Sequence, residues 1–249
     1  GDRLLTAPVF ILSSVRSGST LLRVLLDSHS QFHAPHEIHL RGLQVDGTSH
    51  YTEKSMRALG LHDRDLQHLL WDRVLHRELQ GSGKRYIVDK TPQNALIWRR
   101  IAECWPDARF IFLLRHPLSV AMSRQAARRH ESLDRNVSRV LRFLNAVEEA
   151  RNEHPGFAVR YEELAADPRA VTQRLCGFLQ VDWEPRMLEY GSDDHGRFEP
   201  GLGDWGHAIR SGRVQPPRPL PVADEMPAAL HDLCAAWGYP GAGSRAPIA

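Results

Sequence analysis

Lysine, cysteine and long apolar runs are all scarce in this 249-residue chain. Its three cysteines, Cys104, Cys176 and Cys234, are too scattered for a disulfide framework or a zinc site, which favours a reducing compartment. No apolar run approaches the roughly 18–20 residues that cross a bilayer, so the sequence predicts no membrane span. No signal peptide precedes the first strand-like run, and we expect a cytoplasmic protein; the abrupt start also fits a domain excised from a longer chain.

An excess of charge of one sign is also lacking. The 32 basic and 30 acidic residues leave a formal net charge of +2, which is too small to favour nucleic acid as a partner. The only lysines are Lys54, Lys84 and Lys90, so a lysine placed where a strand ends is more informative here than usual. The length and the 42% hydrophobic content allow one large domain with a full core, and we expect residues 1–249 to form a single domain.

Short apolar runs alternate with helical patterns along the chain. The predicted strands cover 9–14, 85–89, 109–114 and 157–160. The predicted helices lie near 20–28, 62–80, 93–105, 117–130, 134–153 and 168–180. This alternation predicts an α/β fold of three layers, a central parallel sheet with helices on both faces. Ligands of such sheets bind beyond the carboxyl ends of the strands.

The most informative stretch is the loop Arg16-Ser17-Gly18-Ser19-Thr20, between the first predicted strand and a helix. Such a loop forms an anion cradle, because its backbone N–H groups converge and the helix dipole adds positive potential. Against the nucleotide-binding pattern G-x-x-x-x-G-K-[ST], Gly18 and Thr20 are in register, but Ser19 stands where the lysine belongs. The loop therefore predicts a site for a phosphate-like group that uses Arg16 and hydroxyls instead of a loop lysine.

Two further strand ends carry basic side chains. Arg115 follows the strand 109–114 directly, and Ser123 falls eight residues later, about two turns into the next predicted helix. An arginine fork and a hydroxyl so placed can hold one phosphate from two sides. Lys90, in Asp89-Lys90-Thr91-Pro92, also follows a strand and is expected to point into the same crevice as Arg16.

The segment 33–39 contains three histidines at spacings of three residues. Pro35 interrupts any regular helix there and no cysteine stands nearby, so we predict no metal site. Glu37 and His39 alternate along an extended stretch and would share a face. Glu37 is therefore a candidate general base, and His39 its partner or an acceptor-binding group.

Together these residues resemble the PAPS-dependent sulfotransferases, which use 3′-phosphoadenosine-5′-phosphosulfate (PAPS) as donor on a P-loop-like α/β fold. The resemblance covers about residues 9–167, and it is strongest to tyrosylprotein sulfotransferases and to bacterial enzymes that modify carrier-bound hydroxyacyl chains. It implies that loop 16–20 holds the 5′-phosphosulfate and that Arg115 and Ser123 hold the 3′-phosphate. It also implies that Tyr161, in Tyr161-Glu162-Glu163-Leu164, contacts the adenine.

The resemblance assigns chemistry as well as binding. It implies Glu37 as catalytic base and Lys90 as a catalytic lysine, and we expect Arg16 and His39 beside them. Because a sulfuryl group carries less charge than a γ-phosphoryl group, we expect no metal to be required. The closing loop of cytosolic sulfotransferases, Arg-Lys-Gly-x-x-Gly-Asp-Trp-Lys, is matched only at Gly203-Asp204-Trp205. Trp205 is thus expected at the donor, and Arg210 or Arg213 is expected to replace the missing basic residues.

Two other functions stay open at this stage. A P-loop nucleotide kinase or NTPase would need the missing lysine and an acidic residue for magnesium, for which Asp89 is available. A non-catalytic nucleotide-binding module would bind the product 3′-phosphoadenosine-5′-phosphate (PAP) without transfer. The expected acceptor is a hydroxyl of a small molecule or a carrier-bound chain in bacterial biosynthesis, covered by 41–83 and 181–223. Residues 239–249 are expected to be a flexible tail, and the oligomeric state is not predicted.

Overall fold

The computed structural model describes residues 3–47, 49–192, 195, 207–221 and 226–239. Within these residues, parallel strands form one sheet in the order β2-β3-β1-β4-β5. The strands are β1 Val9–Ser13, β2 Phe32–His33, β3 Tyr86–Asp89, β4 Arg109–Leu114 and β5 Gly156–Arg160. The α/β fold with a central parallel sheet is thereby confirmed.

The α-helices surround this sheet and are joined by shorter 3-10 turns. They are α1 Ser19–Asp27, α2 His50–Ala58, α3 Asp63–Ser82, α4 Trp98–Cys104, α5 Pro117–Ala127, α6 Leu133–Glu153, α7 Tyr161–Ala166, α8 Pro168–Leu179, α9 His207–Arg210 and α10 His231–Ala236. The 3-10 turns are Leu40–Gly42, Pro92–Ile97, Pro185–Leu188, Tyr190–Ser192 and Ala228–Leu230. No helix among the described residues is both long enough and apolar enough to span a bilayer.

The two faces of the sheet are covered by separate apolar clusters, which gives the three layers. Along β1, Phe10 and Leu12 pack with α3, α4, α6 and α10, whereas Val9 and Ile11 pack with α1 and α8. Side chains alternate between the faces of a strand, so a strand buried on both faces is apolar at every position. This is why β1 and β4 stand out in the sequence as short continuous apolar runs.

Several predicted boundaries are wrong. Helix α2, whose first turn is capped by Ser49, lies where no helix was predicted. Helix α7 was not predicted either, and the helix predicted over 93–105 starts as the 3-10 turn Pro92–Ile97. The predicted tail lies outside the described residues except for Tyr239, which is buried.

The carboxyl end of α1 is held by charged side chains. Asp27 accepts hydrogen bonds from the Ala34 N–H at 2.8 Å and from His195 Nδ1 at 2.7 Å, and Lys84 Nζ lies 3.8 Å from it. Burial acts to raise the pKa of Asp27, but these hydrogen bonds and the positive charge of Lys84 outweigh it, so the pKa lies below its ordinary value. His195 is thus fastened to the helix that begins at the anion cradle.

Candidate active site

The predicted anion cradle is the turn between β1 and α1. Arg16 and Gly18 both have positive φ, 65° and 85°, so the chain folds back tightly before the helix begins. A Cβ at Gly18 would lie 2.3 Å from Cδ2 of Tyr161, so only glycine fits there. The turn therefore gives an opening for an anion at the N-terminus of a buried helix.

Buried hydroxyls of this turn have no hydrogen-bond partner among the described residues. Ser14 and Ser17 are each 1% exposed, and both Oγ atoms lack a partner. Buried polar groups are nearly always satisfied, so such orphans call for an explanation. The oxygens of a phosphate-like ligand would supply the missing partners.

Arg16, Arg115 and Ser123 come together beside the turn, as the sequence predicted. Arg16 Nε donates to Ser123 Oγ at 3.3 Å, and Arg115 Nη1 donates to the Arg16 carbonyl at 2.7 Å. Arg115 Nε is buried and has no partner among the described residues. Burial lowers the pKa of Arg115, Tyr161 and Glu162 oppose that shift, and the positive charges of Arg16 and Arg218 add to it. Several arginines thus come together here, as a site for a multiply charged anion requires.

Tyr161 completes this side of the site from the end of β5. Its ring lies against Gly18, and the Arg115 guanidinium stands 4.5 Å from the ring centroid, within cation–π range. Because β4 and β5 are neighbours, Arg115 and Tyr161 follow two adjacent strand ends. The Arg115 guanidinium and the Tyr161 ring are therefore held next to each other.

The predicted catalytic residues form a second group. Lys90 Nζ donates to Glu37 Oε1 at 2.5 Å, and His39 Nε2 lies 3.3 Å from Glu37 Oε2. The exposed fractions of these side chains are 2% for Lys90, 12% for Glu37 and 37% for His39. Burial lowers the pKa of Lys90, and the contact with Glu37 opposes that shift. The carboxylate is thus held between two nitrogen groups, with His39 on the solvent side.

Residues that the sequence reasoning missed hold this group in place. Thr91 Oγ1 accepts from the Ile38 and His39 N–H groups, at 3.1 and 3.3 Å, and donates to Asp89 at 3.0 Å. Asp89 also accepts from Asn94 at 2.8 Å; burial raises its pKa and these bonds oppose the rise. Thr91 therefore fastens the segment that carries Glu37 to the end of β3. No local pattern in the sequence indicates its contacts with Ile38 and His39, which lie more than 50 residues away in the chain.

A buried arginine was also missed. Arg23 on α1 is 2% exposed and donates to the Ala34 carbonyl at 2.6 Å, just before the segment that carries Glu37. Burial lowers its pKa, while the charges of Asp27 and Glu37 raise it. An arginine within the otherwise apolar stretch Leu21–Leu26 was the signal that could have revealed it.

Trp205 lies outside the described residues, so its expected contact with the donor is untested. Arg210 ends α9 and is exposed, and its role stays a prediction. Arg218, which the sequence reasoning did not single out, is the arginine of this region whose charge acts on Arg115. Among the described residues, no group of three or more His, Cys, Asp or Glu side chains could hold a metal ion.

A model described as "Sulfotransferase family" matches residues 8–185. The chain belongs to this family. This confirms the enzyme class that the family resemblance implied, a sulfotransferase. The matched region contains every residue assigned above to the site except Trp205 and the arginines at 210, 213 and 218.

The sulfotransferase is similar to curated proteins and to solved structures. Nodulation protein NoeE of Sinorhizobium fredii is 33% identical over 125 residues, which are 46% of this chain and 30% of that protein. The protein-tyrosine sulfotransferase of Drosophila melanogaster is 20% identical over 197 residues, 73% of this chain and 40% of that protein. The chain thus spans well under half the length of these relatives. The sulfotransferase domain from the curacin biosynthetic pathway shares the fold, with a TM-score of 0.69 at 24% identity over 96% of this chain and 100% of that one.

Proposed function

We propose that this sulfotransferase moves the sulfuryl group of PAPS to a hydroxyl of a small-molecule or carrier-bound acceptor, with Glu37 as the general base. The observation that carries the proposal is the pairing of two groups at neighbouring strand ends. One is a cradle with Arg16, Arg115 and unpartnered hydroxyls, and the other is the buried Glu37–Lys90 pair.

The cradle fits the donor. The loop N–H groups, with the hydroxyls of Ser17, Ser19 and Thr20, would bind the 5′-phosphosulfate, and Arg16 would bridge it. Arg115 and Ser123 would hold the 3′-phosphate, for which Arg115 Nε is still unpartnered. The exposed part of the Tyr161 ring would contact the adenine.

The Glu37–Lys90 pair fits the transfer step. Glu37 would take the proton of the acceptor hydroxyl as its oxygen attacks sulfur, in line with the departing phosphate oxygen. Lys90 would stabilise the negative charge that grows on that oxygen as the sulfur–oxygen bond breaks. His39 would hold Glu37 Oε2 toward the acceptor. A sulfuryl group carries less charge than a γ-phosphoryl group, so we expect these fixed cations to suffice without a metal.

The kinase alternative is disfavoured by the position of Asp89. This is the acidic residue that the sequence offered for magnesium, but Thr91 and Asn94 each donate to one of its oxygens, and it is 1% exposed. The loop lysine of nucleotide kinases is replaced by Ser19.

The acceptor is proposed on the likeness to biosynthetic proteins. The curacin-pathway domain, whose fold this chain shares, is a sulfotransferase domain of a biosynthetic pathway. We propose a hydroxylated biosynthetic intermediate in the cytoplasm, bound near His39 and the covering segments within 41–83 and 181–223.

Calorimetric titration with PAP in EDTA tests the proposal. Wild type should bind with micromolar or tighter affinity, and Arg115→Ala should bind roughly 10- to 100-fold more weakly, because it loses charge-assisted hydrogen bonds to phosphate. Arg64→Ala is the matched control, since Arg64 is exposed and pairs with Glu103 at the surface. Absence of PAP binding, or binding of ATP only with magnesium, would contradict the proposal.

A further inference from the structure

The C-terminal segment reaches the donor side of the site through Tyr239. The chain turns at Gly238, where φ is +73°, and the Tyr239 ring packs edge-on against His116 with centroids 5.1 Å apart. Tyr239 is 6% exposed, and its hydroxyl donates to Glu162 Oε2 at 2.5 Å. Tyr239 lies outside the matched region 8–185. It nevertheless contacts His116 and Glu162, the residues that directly follow Arg115 and Tyr161 in the chain.

Glu162 is the centre of this arrangement. Its other oxygen, Oε1, accepts from the His116 backbone N–H at 3.2 Å, at the start of α5. The carboxylate is therefore held by one donor from the strand end that carries Arg115 and one from the C-terminal segment. The helix N-terminus favours its negative charge.

The same carboxylate is close enough to Arg115 to act on it. Its negative charge raises the pKa of Arg115, against the larger lowering by burial. A guanidinium and a carboxylate within reach form strong charge-assisted pairs when nothing else holds them. An Arg115 paired with Glu162 could not offer the same donors to a phosphate.

We propose that Tyr239 is a positioning residue for donor binding: it commits Glu162 to the His116 amide and so keeps the Arg115 guanidinium available for the 3′-phosphate. The inference rests on the proposed function, because it takes the ligand of Arg115 to be the 3′-phosphate of PAPS. It adds the C-terminal segment to the donor site.

Other charges near Tyr239 do not replace its role. The Arg160 guanidinium lies 5.8 Å from the Tyr239 ring centroid, but Arg160 Nε donates to Glu163 at 2.6 Å and Nη1 donates to the Gly238 carbonyl at 3.2 Å. Burial and the neighbouring Glu162 raise the pKa of Tyr239, so its hydroxyl keeps its proton and remains a donor.

Tyr239→Phe tests the inference, because it removes the hydroxyl and keeps the ring. The affinity for PAP should fall about tenfold, since a charge-assisted contact between Glu162 and Arg115 must break before the 3′-phosphate binds. The affinity for AMP, which lacks the 3′-phosphate, should stay within twofold when measured by competitive displacement. Trp237→Phe is the matched control: it removes the bond from Trp237 Nε1 to Glu148 in the same segment and leaves Glu162 untouched.

A second variant separates positioning from simple loss of packing. Glu162→Gln carries no negative charge, so adding Tyr239→Phe to it should change PAP affinity less than twofold. An equal loss in both backgrounds, or an equal loss for PAP and AMP, would overturn the inference while leaving the proposed function standing. If wild type does not bind PAP, it is the proposed function that fails.

Discussion

Glu37→Gln should separate chemistry from donor binding. The substitution keeps the size of the side chain and an oxygen that can accept from Lys90, but it removes the group that would take the acceptor proton. A general base contributes roughly 10²–10⁴-fold to a rate, so kcat should fall by about that factor. PAP affinity should change less than threefold, because the cations of the cradle lie on Arg16 and Arg115.

The structure also gives the expected cost in stability. The Lys90 side chain is 2% exposed, and its Nζ lies 2.5 Å from the carboxylate that the variant loses. Removing one partner of a buried ion pair costs about 3–5 kcal/mol, and the retained amide oxygen should reduce this to roughly 2 kcal/mol. In a chain of this length that lowers Tm by about 4–8 °C. Without the carboxylate, the pKa of Lys90 falls further, since the charge that opposed the burial effect is gone.

The assay is transfer of labelled sulfate from PAPS to a panel of phenols and aliphatic alcohols, with the acceptor most active for wild type carried forward. PAP titration and thermal unfolding are run on the same preparations. Glu78→Gln is the matched control: Glu78 also contacts a histidine, His33, at 2.9 Å, but it is 48% exposed and belongs to no strand end. A Glu37→Gln enzyme with wild-type kcat refutes the assignment of the base. Loss of PAP binding in that variant would instead show that Glu37 belongs to the donor site.

Three further predictions follow from the contacts of the site. Thr91→Val should lower kcat about tenfold and Tm by roughly 4–10 °C with unchanged PAP affinity, because two backbone N–H groups lose their acceptor; an unchanged kcat would contradict its positioning role. Gly18→Ala should weaken PAP binding roughly 100-fold in the same titration, since its Cβ would collide with the Tyr161 ring at a positive φ. Asp27→Asn should lower the free energy of unfolding by about 1–2 kcal/mol at pH 7. Because the folded-state pKa of Asp27 lies below 3.8, that difference should persist above pH 3.8 and shrink as the pH falls through the folded value, as urea titrations at pH 7 and pH 3 would show.

The strands that could be predicted are those in which consecutive residues are buried and apolar. β1 and β4 are buried on both faces, so each appears as an unbroken apolar run, and the prediction missed their bounds by no more than one residue. β2 has only two residues, Phe32 and His33, and its pairing to β3 is a tertiary contact that no local pattern reveals. Helix α2 was missed because none of its residues is buried, so it has no apolar stripe to give a helical period.

The residues of the candidate site also divide into those that could be predicted from the sequence and those that could not. Arg16, Lys90 and Arg115 were predictable because each stands at a strand end, where topology alone brings side chains together. Thr91 and Tyr239 were not, because their importance lies in partners more than 50 residues away in the chain. A threonine after a lysine and a tyrosine near a chain end carry no local sign of what they contact.

The two halves of the site differ in how their charges are balanced. On the catalytic side, the opposite charges of Lys90 and Glu37 form an ion pair, so they neutralise each other without a ligand. On the donor side, the positive charges of Arg16 and Arg218 act on Arg115, and the carboxylate of Glu162 is held by donors other than Arg115. Like charges brought together are unfavourable, and an anion relieves their repulsion. The arginines therefore come together where a phosphorylated donor would bind, and the paired charges of Lys90 and Glu37 lie where a proton would be moved.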